Sequence, residues 1–345
     1  MSTPWLIYGA YGYSGELIAH HAKRMGLSPI LAGRDSAKIK ALGERMQLPW
    51  RAFSLSDPQA VAEQLRDVKL VVNCAGPFSQ TAVSMIEACL LARTHYLDIT
   101  GEIDVFTHAH AQHQRALDAG IVICPGVGFD VIPTDCLAAR LNAMMPGAVS
   151  LKLGFDSRSR MSIGTAKTSI ERLGYGGAVR EDGAIKTVPL AYKQALIDFG
   201  DGEKNAMTIP WGDVATAYYT TGIPNIEVYI PASPTLVKRL RKLNWLRWLL
   251  RRTTVQRWLG KKVEQQPAGP SDNERQHSPT YVWGEVTDAK GHTESLRLKV
   301  KNGYTITMYG AVDVAHFVLN NHPAGGYYTP ARLYGASLVD KYIIK

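Results

Sequence analysis

The sequence is poor in the features that would take it out of the ordinary globular proteins. Of its 345 residues only four are cysteine, Cys74, Cys89, Cys124 and Cys136. No two form a C-x-x-C pair, which excludes a disulfide frame or zinc ribbon and predicts buried free thiols in a reducing compartment. No stretch approaches the ~18 consecutive apolar residues of a bilayer-crossing helix. The most suggestive run, Leu243 to Leu250, is broken by Asn244 and Arg247. The first residues lack the basic and apolar regions of a secretory signal, so a cytoplasmic location is expected. Charged residues, at 20%, are too few for a disordered chain, and apolar residues, at 46%, are enough for a core. His108, His110 and His113 are close in sequence, but on a helix His108 and His110 point apart, with no acid or thiol beside them. No metal site is expected.

One segment lacks acid altogether. Between Thr235 and Val263 stand ten Lys or Arg residues and no Asp or Glu. The net charge of the whole chain is +9, so the remainder is near neutral. A nucleic-acid-binding domain would spread its charge over a groove or face, and no nucleic acid is expected. Leu236, Leu240, Leu243, Leu246 or Arg247, and Leu250 recur there at helical spacing, with Trp245, Trp248 and Trp258 beside them. That composition predicts a basic amphipathic segment, 235–263, with two uses. It docks on an anionic membrane surface or an acidic carrier protein, or it packs its leucines on its own domain.

What is present is a pattern. From residue 5 to 124 short β-rich runs alternate with helix-length amphipathic segments, the sign of βαβ units. Strands are predicted at Trp5 to Tyr8, Pro29 to Ala32, Arg51 to Phe53, Leu70 to Asn73, Tyr96 to Ile99 and Ile121 to Cys124. Helices are predicted at Ser14 to Met25, Ser36 to Met46 with Ser36 as a cap, Pro58 to Arg66, Gln80 to Ala92 and Ile103 to Ala119. The fold class is therefore α/β, a Rossmann-type doubly wound parallel sheet over residues 1–130. A second, mixed α+β substrate or dimerisation domain with an antiparallel sheet follows over 131–309. Its clearest piece is a meander, Thr280 to Val286, Glu294 to Lys301 and Tyr304 to Tyr309, with Asn302-Gly303 reading as a type I′ hairpin turn. Gln265 to Ser278 reads as a connector.

The chemistry gathers where strands end. After the first strand comes Gly9-Ala-Tyr-Gly12-Tyr13-Ser14-Gly15, a G-x-x-G-x-x-G turn opening into a helix. Glycine is needed where the chain turns tightly, where backbone approaches a pyrophosphate and where helix and strand pack closely. The helix N-terminus then offers N–H groups and positive dipole to phosphate. The second strand ends Gly33-Arg34, where an NAD-selective protein places an acid. A basic tip, Arg34 with Ser36 and Lys38, suits the 2′-phosphate of NADP, and Asp35 stands one place too late for the ribose. The fourth strand ends Asn73-Cys74-Ala75-Gly76-Pro77-Phe78, where small residues let a cofactor approach. The fifth ends Asp98-Ile99-Thr100-Gly101-Glu102 and the sixth Gly126-Val127-Gly128-Phe129-Asp130. Their polar groups face the cleft or cap the next helices.

Tyr8 to Glu16, Leu31 to Arg34, Val72 to Phe78, Tyr96 to Glu102 and Gly128 to Asp135 together resemble the saccharopine dehydrogenase-like family. They are most similar to the branch that includes trans-acting enoyl reductases and saccharopine dehydrogenase-like oxidoreductases. The resemblance implies NADP held by Gly9, Gly12, Tyr13, Ser14, Gly15, Arg34 and the turn Ala75, Gly76, Pro77, Phe78. It implies a C-terminal segment, about 310–345, returning to the first domain, and a substrate site between the domains. Ser162-Ile-Gly-Thr165-Ala-Lys167-Thr168 resembles a hydroxyl-rich segment of this branch near its cleft.

A nicotinamide cofactor commits the chemistry to hydride transfer, so the chain must add a pocket and a proton source. The candidate acids are Lys167, Tyr175 and Asp130, with His95 behind them. Three functions stay open. One is an NADP-dependent reductase of an activated C=C in a lipid-like or carrier-bound substrate. The second is a C–N oxidoreductase acting on an amino acid or imine, which would need paired arginines for carboxylates. The third is a non-catalytic NADP-binding protein. A homodimer is compatible with all three.

Overall fold

The computed structural model describes residues 4–265 and 269–344. They divide into two compact units, unit 1 with residues 4–132 and 304–335, and unit 2 with 133–303 and 336–344.

Unit 1 opens with the predicted alternation. In chain order it holds β1 (Trp5–Tyr8), α1 (Tyr13–Arg24), β2 (Ile30–Gly33), α2 (Ser36–Met46), β3 (Trp50–Ala52), α3 (Pro58–Gln64) and β4 (Leu70–Asn73). There follow α4 (Phe78–Ala92), β5 (His95–Asp98), α5 (Ile103–Ala111), α6 (His113–Ala119) and β6 (Val122–Cys124). The predicted single helix over 103–119 is thus two, broken at Gln112. β1, β2 and β4 are buried at every residue, as strands covered by helices on both faces must be. Cys89, Cys124 and Cys136 are buried and Cys74 is half-buried, all as free thiols.

Unit 2 begins with α7 (Ile132–Met144) and continues through β7 (Ser150–Ser157), α8 (Ile163–Leu173), β8 (Gly177–Glu181), β9 (Ala184–Val188), β10 (Gln194–Asp198) and β11 (Glu203–Thr208). Next come α9 (Asp213–Thr221), β12 (Asn225–Pro231), α10 (Pro234–Leu243), a 3-10 turn (Asn244–Leu246), α11 (Arg247–Leu250), α12 (Thr253–Glu264), α13 (Asp272–His277), β13 (Thr280–Thr287) and β14 (Thr293–Val300). The backbone of its sheet runs β10-β11-β12-β7-β13-β14, antiparallel except for the β12–β7 pair. Gly284 on β13 leaves room for Leu137 and Leu141 of α7, since a Cβ there would stand 2.7 Å from Leu141. The predicted connector carries α13, held by a capping box between Ser271 and Glu274. Gln266, Pro267 and Ala268 lie outside the described residues.

The chain then returns to unit 1 as α14 (Gly303–Asn321), β15 (Gly326–Tyr327) and α15 (Pro330–Tyr334). The predicted third meander strand, Tyr304 to Tyr309, is therefore helix, and Asn302-Gly303 starts it instead of turning a hairpin. β-branched and aromatic residues favour a strand locally, but Ile306, Ala311, Val314, Ala315 and Val318 are all buried at helical spacing. Burial outweighs propensity there. Residues 336–344 do not return to unit 1. They lie along the edge of β14, where the Lys301 N–H donates to Tyr342 O at 2.9 Å and the Ile344 N–H to Lys299 O at 2.8 Å.

β15 adds to the parallel sheet of unit 1, whose order is β15-β6-β5-β4-β1-β2-β3. The chain runs outward from β1 to β3, then crosses to β4 on the other side of β1. In such sheets ligands bind outside the carboxyl ends of the strands at that reversal.

Candidate functional site

Register brings the motif turns to one level. Tyr8 pairs with Ala32 on one side and Asn73 on the other, and Asn73 pairs with Asp98. The residues after β1, β2, β4 and β5 therefore emerge together at the carboxyl edge.

Gly9 follows β1 with φ +76°, a left-handed backbone that favours glycine, and its Cβ would lie 2.8 Å from the Ala75 nitrogen. The two turns flanking the reversal thus touch backbone to backbone. Gly15 is bound from the other side, where a Cβ would meet Gly9 O at 2.4 Å and Ala10 Cα at 2.9 Å. Gly12 differs, for its nearest obstacle is Gly9 O at 3.2 Å. Gly9 and Gly15 are thus hemmed in by several backbone atoms, whereas at Gly12 a Cβ would meet Gly9 O alone. Gly12 is also the residue that caps α1, and it has no side chain to do so. The first turn, Tyr13 and Ser14, is half-buried, and Gly12 before it carries no side-chain cap bond. This cradle fits a pyrophosphate.

Beside it, the N-termini of α2 and α4 are closed. Asp35 caps α2 by accepting from the Lys38 N–H at 3.1 Å, in place of the expected Ser36. Its carboxyl is held below the usual range mainly by that amide, and Lys38 lies 3.6 Å away. Asp35 therefore faces α2. Arg34 is left exposed at the β2 tip. Tyr11, which sequence reasoning passed over, lays its ring against Gly33, where a Cβ would come within 2.4 Å of it, with the Lys38 ammonium 5.8 Å from its centre. A tyrosine inside a glycine-rich turn was the available signal. Tyr8 lies beneath, donating to Phe53 O at 2.9 Å. Burial and Tyr11 push its phenol up to about 12.

The turn after β4 is pinned from inside. Buried Asn73 accepts from the Ala75 N–H at 3.1 Å, and Thr81 Oγ1 donates to Ala75 O at 2.6 Å. The buried Glu102 carboxylate takes the N–H groups of Phe78 and Ser79, both at 2.9 Å, and closes the N-terminus of α4. Ala75, Gly76 and Pro77 remain as a small-residue ledge beside Gly9.

Asp98 binds the tips of β5 and β6 together. It accepts from the Thr100 N–H at 3.0 Å, the Gly126 N–H at 2.8 Å and the Tyr96 hydroxyl at 2.7 Å. Burial raises its carboxyl to about 6 against the pull of those donors. Gly101 makes room for Asp130, whose carboxyl oxygen a Cβ would approach to 2.8 Å. Burial, with Glu102 nearby, pushes Asp130 up to about 7. The turn bearing Asp130 is held by α14, where Thr307 Oγ1 accepts from the Phe129 N–H at 3.0 Å. Tyr304 of the same helix meets the Tyr13 ring edge-on at 5.3 Å.

The remaining candidates lie elsewhere. His95 starts β5 and so stands at the amino edge, where its Nδ1 accepts from the Val122 N–H at 2.9 Å and burial lowers its basicity. It is a structural residue. His113 is another, taking the Tyr327 N–H at 3.0 Å to attach β15. Lys167 and Tyr175 belong to unit 2 and Asp130 to unit 1. Lys167 is half-buried on α8, whose cap is Ser162, accepting from the Thr165 N–H at 3.3 Å. Tyr175, just after α8, is 59% exposed with the Arg251 guanidinium 5.1 Å from its ring. Among the described residues no group of three His, Cys, Asp or Glu is placed to hold a metal, and no helix is long and apolar enough to cross a membrane.

Comparison with known proteins agrees with this geometry. Trans-acting enoyl reductase of Mycobacterium tuberculosis is 32% identical over 140 residues, 38% of this chain and 33% of that protein. The Mycobacterium ulcerans protein of the same name is 28% identical over 138 residues. The chain thus spans about a third of these relatives' length. Saccharopine dehydrogenase (L-Glu forming) from Saccharomyces cerevisiae shares the fold over 99% of both chains, with a TM-score of 0.63 at 12% identity. Homospermidine synthase from Legionella pneumophila, solved in complex with NAD, does so over 99% of this chain and 89% of that one, with a TM-score of 0.64 at 10% identity. Residues 5–124, the span from β1 to β6, match the family described as saccharopine dehydrogenase NADP binding domain.

Proposed function

We propose that the protein is an NADP-dependent reductase that saturates an activated C=C in a lipid-like or carrier-bound substrate. The cofactor part rests on the glycine cradle at α1 and on Arg34, with Lys38 a turn away, where an NAD-selective protein would carry an acid. The catalytic residues are Asp130, Lys167 and Tyr175 in the sequence reading, and Asp130 is the one favoured by its surroundings.

The observation that carries the substrate class is how unit 2 uses its arginines. Arg140 pairs with Asp340 at 2.7 Å, Arg160 with Glu274 at 3.0 Å and Arg275 with Asp272 at 2.6 Å. Arg158 pairs with Asp201, Arg297 donates to Asp198 O at 2.8 Å, and Arg180 donates to Val214 O at 2.8 Å beneath Tyr218. An amino-acid substrate with several carboxylates needs cations that are not already engaged, and these six are. The relatives named as enoyl reductases point the same way.

When bound, NADPH supplies a hydride, which an activated C=C accepts at its β-carbon. The α-carbon then needs a proton. Asp130 at the carboxyl edge, with its carboxyl near 7, holds one in a large share of molecules at neutral pH. The test is oxidation of NADPH with α,β-unsaturated acyl thioesters, followed across pH. Turnover should fall as pH rises through about 7 in the wild type, and Asp130→Asn should remove that limb. Turnover with an imine or amino acid but with no enoyl thioester would favour the C–N reading, and cofactor binding with neither would favour a non-catalytic one.

A further inference from the structure

The basic segment was predicted to present a leucine stripe, and the structure places the packing stripe one step away from it. Leu236 and Leu246 are exposed, whereas Val237 is buried with Ala191, Met207 and Ala232. From Val237 the contacts continue through Leu240, Asn244, Arg247 and Arg251, each three or four residues on. Asn244 accepts the Leu190 N–H at 2.8 Å. Arg247 donates to Tyr175 O, and Arg251 to Gly174 O at 2.9 Å, so both satisfy carbonyls that follow α8. On α12, Gln256 donates to Ile170 O at 3.3 Å and Val263 is buried.

The opposite stripe, Lys238, Lys242, Trp245, Trp248 and Arg252, faces outward. Trp245 is 86% exposed and Trp248 60%, and on α12 Trp258 is 56% exposed. Two rings carry a cation against them, Arg252 at 5.1 Å from Trp248 and Lys262 at 4.0 Å from Trp258. Packing of these helices uses neither the tryptophans nor these cations. Exposing indoles to water is unfavourable unless something covers them.

We propose that Trp245, Trp248 and Trp258 with Lys238, Lys242, Arg252 and Lys262 form a surface that docks the protein on an anionic lipid bilayer. Charge complementarity and ring chemistry select that occupant. An indole has an apolar body and an N–H that suit headgroup depth, and an adjacent cation meets lipid phosphate. An acidic protein partner would use the cations but has no comparable need for three tryptophans.

The full chain should co-sediment with vesicles of phosphatidylglycerol and phosphatidylcholine at low salt, release as salt rises, and ignore pure phosphatidylcholine. Lipids brominated near the headgroup should quench its tryptophan fluorescence. Reversing Lys238 and Lys242 to Glu should weaken vesicle binding by about tenfold or more. Replacing the three tryptophans by serine should abolish binding and quenching while circular dichroism and the NADPH thermal shift stay as in the wild type. Absence of vesicle binding at low salt, vesicle binding indifferent to the triple substitution, or binding to an acidic acyl carrier protein in place of vesicles would each overturn the proposal.

Discussion

Helices α1 and α4 leave the same sheet edge on adjacent strands, yet they begin in opposite ways. α1 starts at Gly12, with no side chain to cap it. α4 starts beneath the Glu102 carboxylate, which accepts its first two amides. A helix N-terminus is an anion site wherever nothing fills it. One edge thus carries a helix start without a side-chain cap beside one closed by a carboxylate, and the proposed function puts the pyrophosphate at the uncapped start. The open end lies between Gly9 and Tyr13, and the closed end supports the ledge from Ala75 to Phe78.

The largest effect should come from filling the open end. Gly12→Val should lower NADPH affinity by ~100-fold or more, because a branched side chain stands in the ligand's path with only Gly9 O near it on the protein side. Titration calorimetry reads the affinity. A normal NADPH titration would break the comparison. Arg34→Ala, beside the same end, should cost NADPH ~10- to 100-fold and leave NADH nearly unchanged, the value of a charge-assisted phosphate contact. Equal wild-type affinities for the two cofactors would refute the 2′-phosphate role.

Unsealing the closed end should act on stability instead. Glu102→Gln keeps one acceptor but turns an NH2 toward an amide, so unfolding free energy should drop by ~1 to 3 kcal/mol with NADPH affinity little changed. Chemical denaturation with and without cofactor separates the two effects. The effect confined to one pH range belongs to Asp130. Its carboxyl is raised, so the folded state binds its proton more tightly than the unfolded state, and the associated stability is present below about 4 and lost as pH rises toward 7. Asp130→Asn should match the wild type near pH 4 and be the more stable of the two near pH 8, a difference read as the melting temperature of each across pH. A difference independent of pH would remove titration as the cause.

The open end was legible in the sequence because its reasons are local. Three glycines within seven residues, a strand before and a helix after specify the turn. The closed end was not, since Glu102 reaches Phe78 across 24 residues and Thr307 reaches Phe129 across 178. Spacing rules do not carry that far. Tyr304 to Tyr309 misled through local β propensity, and the basic segment misled through hydropathy. Leu240 packs as expected, and Asn244, Arg247 and Arg251 carry the stripe on from it, bonding backbone groups after α8 and before β10. The six strands of the parallel alternation were found to within a residue or two, for there the burial pattern and the repeat agree.

The return of the chain to unit 1 matters for the order in which the protein is made. β6 gains its outer neighbour only when Gly326 and Tyr327 leave the ribosome, after residues 133–303 of unit 2. Until then a nascent chain carries six parallel strands with Val122 and Ile123 at an open border, and its Phe129 amide awaits Thr307. Vectorial synthesis therefore leaves the nucleotide half waiting while residues 133–303 are made, and truncation before residue 327 should yield a chain that associates through that border.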